Sequence, residues 1–223
     1  MANIGDTMKL MVFIQARMSS TRFPGKMLAP FLGKPLIYHL VENVRAVVPI
    51  ENICVLTSNQ DSDIPLRAYL EALDINVFCG ELNNVFERYR SAALAYGAGW
   101  IVRICGDSPL IDGRVIKHCL DKVSNDFDIV SNVFPRTFPK GQSVEIIKSS
   151  LFHTVNRNEL TSEDMEHVTK YFYKNSSNYR IHSIKSNNAV HKEINTCVDT
   201  VEDLRRLENS HNSWSSTQFI EGN

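Results

Sequence analysis

Short apolar runs of strand length alternate with stretches whose apolar residues recur at helical spacing, and this alternation constrains the fold more than any other feature of the chain. Lys9–Ile14 reads as a strand buried on both faces. Pro35 suits the first turn of a helix, which Leu36, Ile37, Leu40, Val41, Val44 and Val48 continue at helical spacing. Ile53–Leu56 predicts a strand, Ile64–Leu73 a helix with Pro65 in its first turn, and Val77–Phe78 a further strand. Val85–Tyr96 predicts a helix, Trp100–Cys105 a strand, Arg114–Val123 a helix and Asp128–Ser131 a strand. Such a succession implies an α/β fold with a mostly parallel sheet covered by helices on both faces. Ligands in that architecture bind beyond the carboxyl ends of strands, near a switch in strand order. The loops after Ile14 and after Cys105 are therefore where chemistry is expected.

The second half is less regular. Phe134–Gly141 reads as a loop, Val144–Ile147 as a strand, Asp164–Lys174 as a helix and Tyr179–Ile184 as a strand. Ile194–Val198 predicts a strand ending at Asp199, and a helix begins over Val201–Leu207. Residues 1–8 are expected to form an N-terminal extension, 9–207 the domain, and 208–223 a flexible polar tail.

Composition closes off several classes. A formal net charge of −1 over 223 residues argues against a dedicated nucleic-acid binder. No apolar stretch approaches the roughly twenty residues of a spanning helix, and the start of the chain lacks a signal peptide, so a cytoplasmic protein is expected. The five cysteines (Cys54, Cys79, Cys105, Cys119 and Cys197) show no metal-ligand spacing, and four sit in apolar runs, as reduced, buried thiols would.

Two segments carry candidate chemistry. Gln15–Lys26 sets three cations (Arg17, Arg22, Lys26) and three hydroxyls (Ser19, Ser20, Thr21) in a loop at the end of the first strand. Guanidinium groups grip phosphate oxygens bidentately, lysine adds a point charge, and hydroxyls and loop amides complete a cradle. A solvated basic loop is the plainer alternative. Gly106-Asp107-Ser108-Pro109-Leu110 follows the buried strand ending at Cys105, and its carboxylate could hold Mg²⁺ on a triphosphate or simply cap a turn. Asp199-Thr200 repeats the arrangement, with the cap of the following helix as its alternative.

Ala16-Arg-Met-Ser-Ser-Thr-Arg-Phe-Pro-Gly-Lys26, followed by Gly33-Lys34-Pro35-Leu36, resembles the signature of the CMP-Kdo synthetase and acylneuraminate cytidylyltransferase superfamily. Arg103-Ile-Cys-Gly-Asp-Ser-Pro-Leu-Ile111 resembles its second motif and Val198-Asp-Thr-Val-Glu-Asp-Leu204 its third. Pro139-Lys-Gly-Gln-Ser-Val-Glu145 and Ser162-Glu-Asp-Met-Glu-His-Val168 are most similar to the branch resembling spore-coat polysaccharide cytidylyltransferases. The resemblance implies a three-layer α/β/α Rossmann-like nucleotidyltransferase fold with a mixed, mostly parallel sheet. It implies CTP as substrate, Mg²⁺ as cofactor, and transfer of CMP to a small acceptor with loss of pyrophosphate.

By the same resemblance Arg17 and Lys26 neutralise the CTP phosphates, with Ala16, Ser20, Thr21, Arg22 and Gly106 beside the nucleotide, and Asp107 and Asp199 ligate the metal. Arg88 matches an arginine near the nucleotide, or else forms a helix-surface salt bridge. Glu145, Glu166 and His167 would line the acceptor side, although His167 could be a packed helix histidine. Residues 133–193 would serve acceptor and dimer contacts. Relatives are commonly homodimers, and Tyr171-Phe172-Tyr173 is a candidate contact, with a core helix as the usual alternative. Val201 stands where the family usually has proline, and Ser108 where many members carry glutamate or cysteine. The sugar-binding segments of the Kdo and sialate enzymes are not evident, so the acceptor stays open. Asp126-Phe127-Asp128 spells the D-x-D of a metal-dependent glycosyltransferase but precedes its strand rather than following it. A non-catalytic nucleotide-binding module is the other rival.

Overall fold

The structure, a computed structural model, describes residues 9–210. The first half runs β1 (Leu10–Gln15), a hairpin of β2 (Pro30–Phe31) and β3 (Lys34–Pro35), then α1 (Leu36–Arg45) and β4 (Ile53–Ser58). It continues through α2 (Ile64–Glu71), β5 (Asn76–Gly80), α3 (Val85–Tyr96), β6 (Trp100–Cys105) and α4 (Gly113–Leu120). The second half comprises β7 (Ile129–Ser131), β8 (Glu145–Lys148), α5 (Ser149–Thr154), α6 (Ser162–Glu166), α7 (Lys170–Lys174), β9 (Ile181–Ser183) and α8 (Val201–Ser210). Seven strands form one sheet in the order β5-β4-β1-β6-β8-β7-β9, in which β8 alone opposes its neighbours. The sheet is mixed and mostly parallel, as expected.

Period-two alternation along the buried strands gives each sheet face its own core. Val12 and Ile14 join Ile53, Val55, Val102 and Ile104 on one face, covered by Leu40 and Val44 of α1, Leu66 and Leu70 of α2, Val115 and Ile116 of α4, and Leu204 and Leu207 of α8. Met11 and Phe13 point to the other face with Cys54 and Leu56, under Phe86 and Tyr89 of α3, Phe152 of α5 and Phe172 of α7. The result is three layers. Phe152 meets Phe86, Tyr89 and Phe172 at centroid distances of 5.1, 6.3 and 5.3 Å. The Tyr171–Tyr173 stretch belongs to this core: Phe172 is fully buried, and the Tyr173 hydroxyl donates inward to Glu145.

Three expectations change. The helix expected over Asp164–Lys174 is broken into α6 and α7. Thr161 and Asp164 form a capping box that starts α6 early, and His167, at φ −105° and ψ 71°, leaves the helix. The strand expected at Ile194–Val198 reduces to a single bridge between Lys140 and Asn195, after which the chain turns to bond the Asp107 loop. The tail expected from residue 208 begins with helix, since α8 runs to Ser210; residues 1–8 and 211–223 lie outside the described residues.

Asp128 is structural. It accepts hydrogen bonds from the Arg180 N–H (3.0 Å), Nε (3.0 Å) and Nη2 (2.7 Å) and from Lys148 Nζ (3.2 Å), tying β7 to its neighbours. These bonds, led by those from the Arg180 side chain, hold its carboxyl well below the usual carboxylate range. A depressed folded-state pKa stabilises above the unfolded value of about 3.9, and that contribution is lost as pH falls through the folded value. Asp128→Asn should therefore unfold at lower urea than wild type near pH 7, with the gap closing as pH falls below about 4. Urea midpoints measured across that range check the sign.

Candidate active site

β1 and β6 pair in parallel register up to Gln15↔Cys105, and β4 and β5 extend from the opposite side of β1. The strand order therefore switches between β1 and β6, and a cavity of about 330 Å³ opens at their carboxyl ends. Gly106 makes that junction possible. Its N–H donates to the Gln15 carbonyl at 2.8 Å, and a Cβ at this position would stand 2.7 Å from the same oxygen.

The loop after β1 supplies one wall. Arg17, Ser20, Thr21, Arg22 and Lys26 all line the cavity, with Ala16 at its base. Lys26 is 8% exposed, a costly place for an ammonium without partners. It donates to the Val198 carbonyl at 2.8 Å and lies 3.6 Å from an Asp199 carboxylate oxygen. Arg22 reaches the same oxygen at 3.0 Å, and Arg17 pairs with Glu166 at 3.7 Å. Lys26 is therefore not the solvated cation of the plainer reading, whereas Thr21 and Arg22 are exposed.

Asp107 and Asp199, 92 residues apart in sequence, are brought together here. The Val198 N–H donates to the Asp107 carbonyl at 2.8 Å, which sets the two turns side by side, and both residues line the cavity. Neither caps a helix. Asp112 caps α4 by accepting from the Arg114 N–H at 2.8 Å, and Thr200 with Asp203 forms the reciprocal cap of α8. The Asp107 carboxylate accepts only from the neighbouring Ser108 hydroxyl, at 2.9 Å, among the hydrogen bonds of the described residues. No cluster of three or more His, Cys, Asp or Glu suited to a metal occurs among those residues. Two carboxylates beside the cations of one cavity nonetheless fit Mg²⁺, which is commonly held by one or two carboxylates plus substrate phosphates and water.

Arg88 is no surface residue. It is 2% exposed, lines the cavity, and donates to the carbonyls of Glu81 and Leu82 rather than to a carboxylate. A second cavity of about 520 Å³ shares Arg103, Cys105 and His167 with the first and carries Arg136, Lys170 and Lys174. Glu145 faces this second space but is 3% exposed, paired with Arg103 and accepting from Tyr173 at 2.8 Å. Glu166 opens on the first cavity, while His167 is exposed and borders both. It is not a packed histidine. Burial pushes the Cys105 thiol up to about 11, so it is protonated at neutral pH and a poor nucleophile. Cys54 and Cys119 are buried as expected, whereas Cys79, Cys105 and Cys197 are partly exposed.

Arg103, which opens the second shared motif, and Arg136 carry no role in the sequence reading, yet both line the cavities. Arg103 left a signal, because an arginine inside an apolar strand needs an acidic partner, here Glu145. Asp126 and Asp128 line neither cavity, which removes the basis for a D-x-D metal site.

A family model described as cytidylyltransferase matches residues 11–212. The spore coat polysaccharide biosynthesis protein SpsF of Bacillus subtilis is 27% identical over 207 residues, covering 89% of this chain and 84% of that protein. A 3-deoxy-manno-octulosonate cytidylyltransferase of Paraburkholderia phytofirmans is 27% identical over 239 residues, covering 96% and 85%. The solved structure of a cytidylyltransferase from Leptospira borgpetersenii superposes with a TM-score of 0.87 at 29% identity, covering 95% of this chain and 90% of that one. This chain, with its cation-lined cavity at the strand switch, belongs to the cytidylyltransferase family and is a nucleotidyltransferase.

Proposed function

We propose that the protein is a Mg²⁺-dependent cytidylyltransferase that moves CMP from CTP to a small acceptor, a sugar acid or related surface-polysaccharide precursor, releasing pyrophosphate. The observation that carries this reading is the convergence of Arg17, Arg22, Lys26, Asp107 and Asp199 on one cavity. An acceptor hydroxyl oxygen attacks the α-phosphorus of CTP and gives up its proton to solvent, the bond from that phosphorus to the bridging oxygen breaks, and pyrophosphate departs. Positioning and charge neutralisation supply most of the catalysis in such transfers.

Arg17 and Lys26 hold the β- and γ-phosphates and take up the charge that develops on the leaving pyrophosphate. Arg22, Ser20 and Thr21 assist at the rim of the loop, and Arg88 fixes the loop at Glu81–Leu82 beside the nucleotide. Asp107 and Asp199 would hold Mg²⁺, which when bound supplies Lewis-acid polarisation of the phosphate oxygens. Asp199 is already paired with Arg22 and Lys26, so those cations have a partner to leave when a triphosphate arrives. The acceptor enters from the second cavity, and Glu145, Glu166 and His167 stand along its path. Cations on that wall favour an anionic acceptor.

The reading also carries a homodimer working in the cytoplasm. Among the described residues no helix is long and apolar enough to cross a membrane.

Pyrophosphate release, assayed with CTP and Mg²⁺ across a panel of sugar acids, sugar phosphates and phosphonates, tests the reading. Lys26→Ala and Asp107→Asn should each lower turnover by about a hundredfold or more. Near-normal release by either purified variant would remove these residues from the mechanism. Chelation by EDTA should abolish release and added Mg²⁺ restore it; release that persists in EDTA would contradict the metal assignment.

A further inference from the structure

Met18 organises the loop after β1 from within. Its carbonyl accepts from the Ser20 N–H at 2.9 Å and from the Gly25 N–H at 2.8 Å, so one peptide group closes the loop from both sides. Gly25, at φ +76°, then turns the chain directly into Lys26. The Met18 N–H donates outward, at 2.7 Å, to Oδ1 of Asp63.

Asp63 is fully buried, and it lines neither cavity. It occupies the N-cap position of α2, yet its side chain makes no capping bond to that helix. An aspartate there would ordinarily accept from the helix's own first-turn N–H groups. Its second oxygen, Oδ2, accepts instead from the Thr57 hydroxyl at 2.9 Å, the Ser58 N–H at 3.0 Å, and the Ser58 hydroxyl. Thr57 and Ser58 are the last residues of β4. One carboxylate thus binds the loop after β1 to the carboxyl end of the neighbouring strand. Burial alone would raise its pKa, but the bonds from Ser58, Met18 and Thr57 outweigh burial and hold it below the usual value.

We propose that Asp63 is a positioning residue for nucleotidyl transfer: through Met18 it fixes the Arg17–Lys26 loop in the shape that presents its cations and amides to the triphosphate, while touching neither substrate. This rests on the reading of that loop as the triphosphate cradle. The fixed loop spares CTP the ordering of a ten-residue segment (17–26) on binding.

Asp63→Asn tests it with almost no change of volume. Two backbone N–H groups, of Met18 and Ser58, aim at different carboxylate oxygens, and a carboxamide has one oxygen. The amide must therefore point its NH₂ at one of them, while the hydroxyls can rotate to accept. The KM for CTP should rise about tenfold or more, with the acceptor KM held within about twofold. Leu70→Val, a core change in the same helix, serves as the comparison for lost stability and should leave the CTP KM unchanged. A CTP KM within about twofold of wild type for Asp63→Asn would overturn the proposal. So would equal rises in both KM values that Leu70→Val reproduces.

Amide hydrogen exchange on the wild-type protein gives a readout independent of any variant. The Met18 amide should exchange about tenfold or more slowly than those of the exposed Thr21 and Arg22, and equal exchange would overturn the proposal. Slow Met18 exchange in a protein that neither binds nor turns over CTP would sink the triphosphate reading while leaving the anchor itself standing.

Discussion

β1 and β6 lie parallel and in register from Leu10↔Trp100 to Gln15↔Cys105, so both strands end at one level of the sheet. The loop after β1 and the Gly106-Asp107 turn are then forced into contact, and the absence of a Cβ at Gly106 lets the two backbones close. The crossing segment before α8 completes the junction by donating from the Val198 N–H to the Asp107 carbonyl. Both cores serve this pairing. Val12 and Ile14 anchor β1 to one helical layer, and Met11 and Phe13 anchor it to the other.

Charge placement in the site follows from that backbone arrangement. Lys26 is nearly buried and is tolerated because Val198 offers a carbonyl and Asp199 a carboxylate. Arg103 stands in a strand interior because Glu145 on β8 faces it in register, with Tyr173 satisfying the other carboxylate oxygen. The cations are held by acceptors at fixed positions, so on the proposed function the pocket is organised before the triphosphate arrives. Such preorganisation is what electrostatic catalysis of phosphoryl-type transfer needs.

Much of the fold was legible because buried parallel strands and amphipathic helices leave local patterns. The Val85–Tyr96 helix and the Trp100–Cys105 strand appear with the expected bounds. The misreadings occur where tertiary contacts override local pattern. Ile194–Val198 has the apolar content of a strand, but its neighbours are loops, so it forms one bridge. The helix at residues 164–174 carries a continuous helical signal, yet the Thr161–Asp164 capping box starts it early and the non-helical backbone of His167 divides it. The division turns His167 toward the junction of the two cavities.

The cations, hydroxyls and two aspartates of the site could be picked out as candidates, and the shared motifs gave them an order. Their meeting could not be read, because the bond from Val198 to Asp107 depends on how the sheet is wound. Asp63 was invisible for the same reason: in Gln60-Asp-Ser-Asp-Ile64 it resembles an ordinary helix cap, and only the fold shows its carboxylate turned to Met18. The most direct test of the account is a crystal structure of this chain with CTP and Mg²⁺. The account predicts the triphosphate against the 17–26 loop, with Lys26 on its phosphates and the metal touching Asp107 and Asp199. A triphosphate bound elsewhere, or a metal held without either aspartate, would contradict it.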